Sequence, residues 1–172
     1  MACALTQGYT IPCRDNIGGL LSFYVIEYDN VTLDTEASGV VTAITKDTGK
    51  RFWKYELEQN TASAKETINV SRENGTVFYN QEVTIVLNKM QASIRNEVLL
   101  LAKNRCVIVG VDRNGTAFWY GKQNGMVLTG GEGGTGTASG DRNGYTLTFT
   151  SQEPELAPTV HSTVVSALET AG

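Results

Sequence analysis

The sequence predicts a mainly β protein, an antiparallel β-sandwich or barrel with one flanking α-helix and a long β-hairpin. Three observations predict it. Short runs rich in β-branched and aromatic residues recur along the chain, several of them with period-two alternation. Four Asn-Gly dipeptides (Asn74-Gly75, Asn114-Gly115, Asn124-Gly125 and Asn143-Gly144) punctuate those runs, and Asn-Gly suits the type I′ turns that join antiparallel strands. Only one segment carries a convincing helical period.

The elements follow in order. Residues 1–20 read as an irregular extension, because Pro12 and the Gly18-Gly19 pair interrupt regular structure. Leu21 to Tyr28 and Val40 to Thr45 read as strands, and Asp47-Thr48-Gly49-Lys50 as a turn. In Arg51 to Gln59, Trp53, Tyr55 and Leu57 fall on one face, expected to be buried. Lys54, Glu56 and Glu58 fall on the other with Phe52. Lys65 to Arg72 and Thr76 to Leu87 flank Glu73-Asn74-Gly75 and form the long hairpin. Val77, Tyr79, Val83, Ile85 and Leu87 alternate along its second strand, with a polar tip and an apolar base.

The helix is expected over 89–103. Asn88 is its N-cap, with Gln91 three residues on as in a capping box. Met90, Ile94, Val98 and Leu101 make its apolar stripe, Leu99, Leu100 and Ala102 widen it, and Asn104 is a left-handed stop. Cys106 to Val111 reads as a central strand, and Asp112-Arg113-Asn114-Gly115 turns it into Thr116 to Tyr120. Met126 to Thr129 is a further strand. A flexible glycine-rich loop, Gly130 to Gly140, leads into Tyr145 to Thr150, where Tyr145, Leu147 and Phe149 face one way and three threonines the other. The domain proper is thus 21–153. Pro154 and Pro158 set off residues 154–172 as a C-terminal arm, either a last strand or a segment that docks on a partner.

Composition bounds the function. A chain of 172 residues is long enough to bury roughly 70% of its unfolded surface. A net charge of −4 and an isoelectric point near 5.0 argue against a protein that grips nucleic acid, since phosphate binding needs clustered Lys and Arg. Cys3, Cys13 and Cys106 are an odd number without a CxxC pair. Cys106 reads as a buried free thiol; Cys3 and Cys13 could pair, but a reducing environment is the simpler reading. The first residues lack the basic and apolar regions of a secretory signal, so the Asn-x-Ser/Thr triplets read as chance, and no stretch is apolar enough to anchor in or span a membrane.

The search for chemistry finds none to assign. His161 is the only histidine and has no strand-linked partner. The glycine-rich run lacks a Gly-Lys-Ser/Thr ending and precedes a strand, whereas a phosphate cradle needs a helix N-terminus. Glu56 and Glu58 share a strand face, while glycosidase-like catalysis needs carboxylates opposed across a cleft, with aromatic walls that Trp53, Trp119 and Tyr120 would have to supply. No catalytic residue, metal or cofactor is expected.

Two segments carry a resemblance. NKMQASIRNEVLLLAKN (Asn88 to Asn104) is a helix between two β blocks, and DRNGYTLTFTSQEPELAP (Asp141 to Pro158) is a loop-to-strand passage with a Glu-Pro exit. In this order of elements, over most of residues 20–158, the chain resembles the tail tube proteins of long-tailed bacteriophages and the related tubes of contractile injection systems. The resemblance lies in the pattern of elements and implies a structural virion protein. It would be made in the host bacterial cytoplasm and would assemble with copies of itself into stacked, hexameric rings. Its other partners would be tape-measure, terminator and hub proteins, and DNA would pass through the tube without specific binding. Tyr79, Val83 and Ile85 are then the expected subunit contacts within a ring, and the loop containing Gly131, Gly134 and Gly136 the contact between rings. Another virion component, or a ligand-binding β-sandwich, is the alternative.

Overall fold

The computed structural model describes Leu5 and residues 7–172, with backbone alone at Leu33 and Asp34. Two sheets face each other as a sandwich and do not close into a barrel. Eleven strands form them: β1 (Leu20–Glu27), β2 (Val31–Ala37), β3 (Val40–Lys46), β4 (Trp53–Glu56), β5 (Ser63–Ser71), β6 (Thr76–Asn88), β7 (Cys106–Asp112), β8 (Ala117–Tyr120), β9 (Val127–Gly134), β10 (Gly144–Glu153) and β11 (Thr159–Val160). The larger sheet runs β2-β3-β11-β8-β7-β1-β4 and the smaller β5-β6-β10-β9. Every pairing is antiparallel except β11 with β3. Helix α1 (Ala92–Lys103) flanks the sandwich beside β9, and a second short helix, α2 (Ser162–Ala167), lies by β3.

The core lies between the sheets. Phe23, Val25, Cys106, Ile108 and Tyr120 of the larger sheet meet Val83, Ile85, Leu147 and Phe149 of the smaller. The alternation expected for β6 and β10 therefore holds, with Leu147 and Phe149 inside and Thr146, Thr148 and Thr150 half-covered on the outer face. Burying such side chains contributes about 1.5–3 kcal/mol each.

The larger sheet is buried on its other face as well. There Tyr24, Ile26, Val107, Val109 and Trp119 pack with Phe52, Val41, Val164 and Leu168. This second layer reverses one expectation at β4. Phe52, assigned to the wet face, is fully buried, its ring meeting that of Trp119 edge-on at 5.9 Å. Trp53, assigned to the core, is 54% exposed with the Arg51 guanidinium 4.3 Å from its ring centroid. The reason is that a sheet covered on both sides offers an apolar site to either parity.

The C-terminal segment supplies this layer. Val160 is inserted between β3 and β8, pairing with Val41 and Ala117. The Lys46 ammonium donates to the carbonyls of Ala167 (2.8 Å), Leu168 (3.3 Å) and Thr170 at the end of α2, where the helix dipole favours a cation. Gly49 N–H donates to the carbonyl of Gly172, and Gly172 N–H to that of Lys50. Of the two readings left open for the tail, it forms a last strand and docks on its own sheet.

Three further boundaries differ from the sequence reading. Asn88 does not cap α1; it is still in β6, opposite Gly144, and Gln91 precedes the helix without a side-chain cap. Lys89 makes the corner at φ 70°, and the Asn143 side-chain oxygen accepts from Met90 N–H at 3.3 Å. Ile94, Val98 and Leu101 face inward, whereas Leu99 and Leu100 are exposed, and Asn104 is extended (φ −104°), not left-handed. Gly130 to Gly134, read as loop, belong to β9 and pair with β10.

A buried polar network ties the β8–β9 link to the smaller sheet. Glu153 is 2% exposed. Its carboxylate accepts from Gln123 N–H (2.9 Å), Asn124 N–H (3.0 Å) and the Ser151 hydroxyl (2.7 Å). Beside it, buried Gln81 accepts from Gly121 N–H (2.9 Å) and donates to Glu66 (3.0 Å), which also accepts from Ala157 N–H (2.8 Å). Removing a buried acceptor strands its donors. Glu153→Ala should therefore lower unfolding free energy by about 2–3 kcal/mol, and Glu153→Gln, which keeps one acceptor, by less. Urea denaturation reads both; an unchanged midpoint for Glu153→Ala would show that the network carries no stability.

Candidate functional site

The side chains considered for chemistry are placed apart. His161 is the N-cap of α2, its Nδ1 accepting from Thr163 N–H at 3.3 Å and lying 2.9 Å from the Thr163 hydroxyl. Glu56 pairs with Lys54 at 3.5 Å on the surface. Trp119 and Tyr120 are in the core and Trp53 is outside it, so the three do not wall one cleft. Burial, with Glu27 adding, pushes the Cys106 thiol up to about 11. Burial, with Glu97 and Cys106 adding, pushes the Tyr55 hydroxyl up to about 12. Both stay protonated at neutral pH, and a protonated thiol is a poor nucleophile. Cys13 is a free, exposed thiol; its pairing with Cys3 lies outside the described residues. Among the described residues no helix is long and apolar enough to cross a membrane, and no cluster of His, Cys, Asp or Glu is arranged to hold a metal.

What stands out is unpartnered apolar surface on the hairpin. β6 pairs with β10 from Asn88 opposite Gly144 to Tyr79 opposite Glu153, and there β10 ends. β5 and β6 continue past it as a two-stranded ribbon closed by Gly75 at φ 63°. The face that buries Val83 and Ile85 runs on, by strict alternation, through Tyr79 and Val77 and through their partners Ile68 and Val70. No sheet covers it there: Ile68 is 58%, Val70 63% and Val77 51% exposed. The hairpin tip is therefore polar only at its turn. A lone two-stranded ribbon is marginally stable in water, and exposed contiguous apolar residues mark interaction surfaces.

The expected contact residues divide accordingly. Val83 and Ile85 are fully buried inside the subunit, so they cannot meet a neighbour. Tyr79 is half-buried at the root of the ribbon. Ile68 and Val70, which the sequence reading did not single out, carry the exposed face with Val77. Their signal was present as a partner relation: an Asn-Gly turn at 74–75 places Val70 opposite Val77 and Ile68 opposite Tyr79.

The glycine-rich segment has two parts. In β9, a Cβ on Gly133 would lie 2.7 Å from the Tyr145 ring, and one on Gly131 2.8 Å from the Thr146 carbonyl oxygen. These glycines let the aromatic ring of β10 lie across the neighbouring strand. Gly134 is exposed with open space around it. The connecting loop turns at Gly136 (φ 69°), and the exposed Asp141 carboxylate accepts from Ala138 N–H (2.8 Å) and Thr137 N–H (2.9 Å). Those two bonds hold the Asp141 carboxyl below its ordinary value of 3.8. The loop is an ordered turn rather than a slack one.

Comparison with family profiles, with curated proteins and with solved structures found no match to this chain.

Two outcomes follow from this geometry. A folded-state value below the unfolded one makes the Asp141 contribution complete above about pH 3.8 and lost as pH falls through the depressed value. Amide exchange at Thr137 and Ala138 should accelerate in that acid window while the β10 amides stay protected; unchanged exchange would show that the carboxylate does not hold the turn. Gly133→Val should displace the Tyr145 ring and destabilise the fold by about 1–3 kcal/mol, read by thermal unfolding and by loss of the near-ultraviolet tyrosine signal.

Proposed function

We propose that this chain is a structural virion protein whose copies assemble into stacked rings that form the tube of a phage tail. The observation that carries the reading is the ribbon of β5 and β6, whose core-type face extends beyond the sandwich with Ile68, Val70 and Val77 uncovered. A subunit that builds a closed ring needs an element of this kind, since a ring removes exposed edges by pairing each subunit with the next. The order of elements, which resembles that of tail tube proteins, supports this choice of assembly, and the acidic balance suits a tube through which DNA slides without sticking.

The outer face of the smaller sheet supports the same reading. It presents Ser63, Thr67, Thr84, Thr146, Thr148 and Thr150, with Thr84 and Thr148 hydroxyls 3.3 Å apart. Its lysine, Lys65, lies 3.5 Å from the Glu82 carboxylate. Such a surface is wetted but offers no cluster of cations to phosphate.

Purified protein at high concentration should show rings or filaments by negative-stain electron microscopy. The double variant Val70→Lys/Val77→Glu should fold as the parent does, because both side chains are already exposed and the opposite charges face each other across the ribbon, and should shift assembly to at least tenfold higher concentration. A parent chain that stays monomeric at every concentration sinks the proposal.

A further inference from the structure

Of the four Asn-Gly dipeptides in the chain, the fold holds three and leaves one loose. The dipeptide has a chemistry of its own in water. Glycine has no side chain to screen its amide nitrogen and leaves the backbone free to turn. That nitrogen can therefore reach the side-chain carbonyl carbon of the asparagine before it. The reaction needs a free glycine N–H, a free asparagine amide and room for the backbone to rotate.

Three sites are denied at least one of these. Asn114 donates to the Asn16 side-chain oxygen (2.7 Å) and the Ile17 carbonyl (3.0 Å) and accepts from Ile17 N–H (3.0 Å). Gly115 N–H is taken by the Asp112 carbonyl at 3.2 Å. The Asn124 amide donates to the Gln152 carbonyl, and Gly125 is buried so close to the Arg105 side chain that a Cβ would not fit. The Asn143 side-chain oxygen accepts from Met90 N–H at 3.3 Å. Gly144 is buried in β10, paired with Asn88 on one side and Gly134 on the other.

Asn74 is free on every count. With Gly75 it lies in the exposed loop 72–75, between the paired residues Ser71 and Thr76. Its backbone N–H reaches the Ser71 hydroxyl at 3.4 Å. Among the described residues, neither its side-chain amide nor Gly75 N–H has a hydrogen-bond partner. Nothing lies within 4 Å of where a Cβ on Gly75 would stand. Since β10 ends opposite Tyr79, no third strand braces this end of the ribbon.

We infer that Asn74 is a site of spontaneous covalent modification, converted to aspartate and isoaspartate through a cyclic imide with Gly75. The Gly75 nitrogen, its proton lost to water or hydroxide, bonds to the Asn74 side-chain carbonyl carbon. The bond from that carbon to Nδ2 breaks, and ammonia leaves with a proton from solvent. Water then adds to one of the two imide carbonyls and the ring C–N bond opens. Opening at the side-chain carbonyl gives aspartate; opening at the backbone carbonyl gives isoaspartate, with the chain running through the side chain. One water is consumed, one ammonia is released, and no electrons are transferred. Either product adds a carboxylate beside Glu73. Isoaspartate also adds one methylene to the loop backbone, and loop length fixes hairpin register. The misfit falls on the ribbon that carries Ile68, Val70 and Val77. The reaction belongs to the single subunit and needs no partner.

The full chain, kept dilute at mildly alkaline pH, is incubated folded and in urea, and its peptides are mapped by mass spectrometry. Folded, Asn74 should convert at nearly its rate in urea. Asn114, Asn124 and Asn143 should each fall at least about tenfold below theirs, since each must first open locally. Retention of the Asn74 amide in the folded chain, or conversion of any of the other three at the pace of Asn74, overturns the inference. In the isoaspartyl fraction, amide exchange at Val70 and Val77 should quicken while the β10 amides keep their protection. An Asn74→Gln chain, whose added methylene slows cyclisation, is the unmodified reference. Exchange equal to that reference overturns the coupling to the ribbon.

Discussion

The register between β6 and β10 is the constraint on which the rest depends. From Asn88 opposite Gly144 to Tyr79 opposite Glu153 it runs without a shift. A slip of one residue would turn Val83, Ile85, Leu147 and Phe149 out to solvent and bring threonines inward. The same register sets Glu153 at the last paired position, where its carboxylate receives the two amides of the β8–β9 link. It also sets where the sandwich ends. Because β10 stops at Glu153 while β6 begins at Thr76, the ribbon must overhang. Core, clamp and projection are consequences of one alignment.

What could be read from the residues divides along physical lines. β6 and β10 were legible because each has one dry face and one wet face, which period-two alternation records. The turns at 47–50, 73–75 and 112–115 were legible because glycine at Gly49, Gly75 and Gly115 takes the positive φ that the local chemistry signals. At β4 the alternation holds for Tyr55 and Leu57, which join the core, and fails at Phe52 and Trp53, because the larger sheet is dry on both faces and an apolar residue of either parity can be buried. β2 went unrecognised because an outer strand of the sequence VTLDTEA carries little apolar alternation. The helix start was misplaced by a capping pattern at Asn88, whose residue is engaged in the ladder to Gly144. The glycines of β9 were taken for slack because glycine has two uses. There it makes room for Tyr145 rather than for an unusual φ.

The candidate surface was legible in kind and misplaced in detail, for one reason. Alternation identifies a face but not how far a facing sheet extends along it. Val77, Tyr79, Val83 and Ile85 are indistinguishable by period. Only the length of β10, fixed by tertiary pairing, divides them into core and overhang. The same limit applies to the tail. Two residues, Thr159 and Val160, close the larger sheet between β3 and β8, and no local pattern announces so short a strand.

Exposed apolar residues on a ribbon are a liability unless their partner is specific. The chain carries features that make them so. The ribbon turn is Arg72-Glu73-Asn74, polar and closed by glycine, which blocks end-on sticking. Lys65 and Glu82 pair on the outer face of the ribbon's base, where Phe78 is the large apolar residue exposed, so most of the uncovered apolar surface is on the other side. In the proposed ring these restrictions would act together. Each subunit presents one apolar face of defined length, at Ile68, Val70 and Val77, that its own sandwich leaves uncovered. On the ring proposal, incomplete burial in the single subunit drives assembly, and closure of the ring ends it.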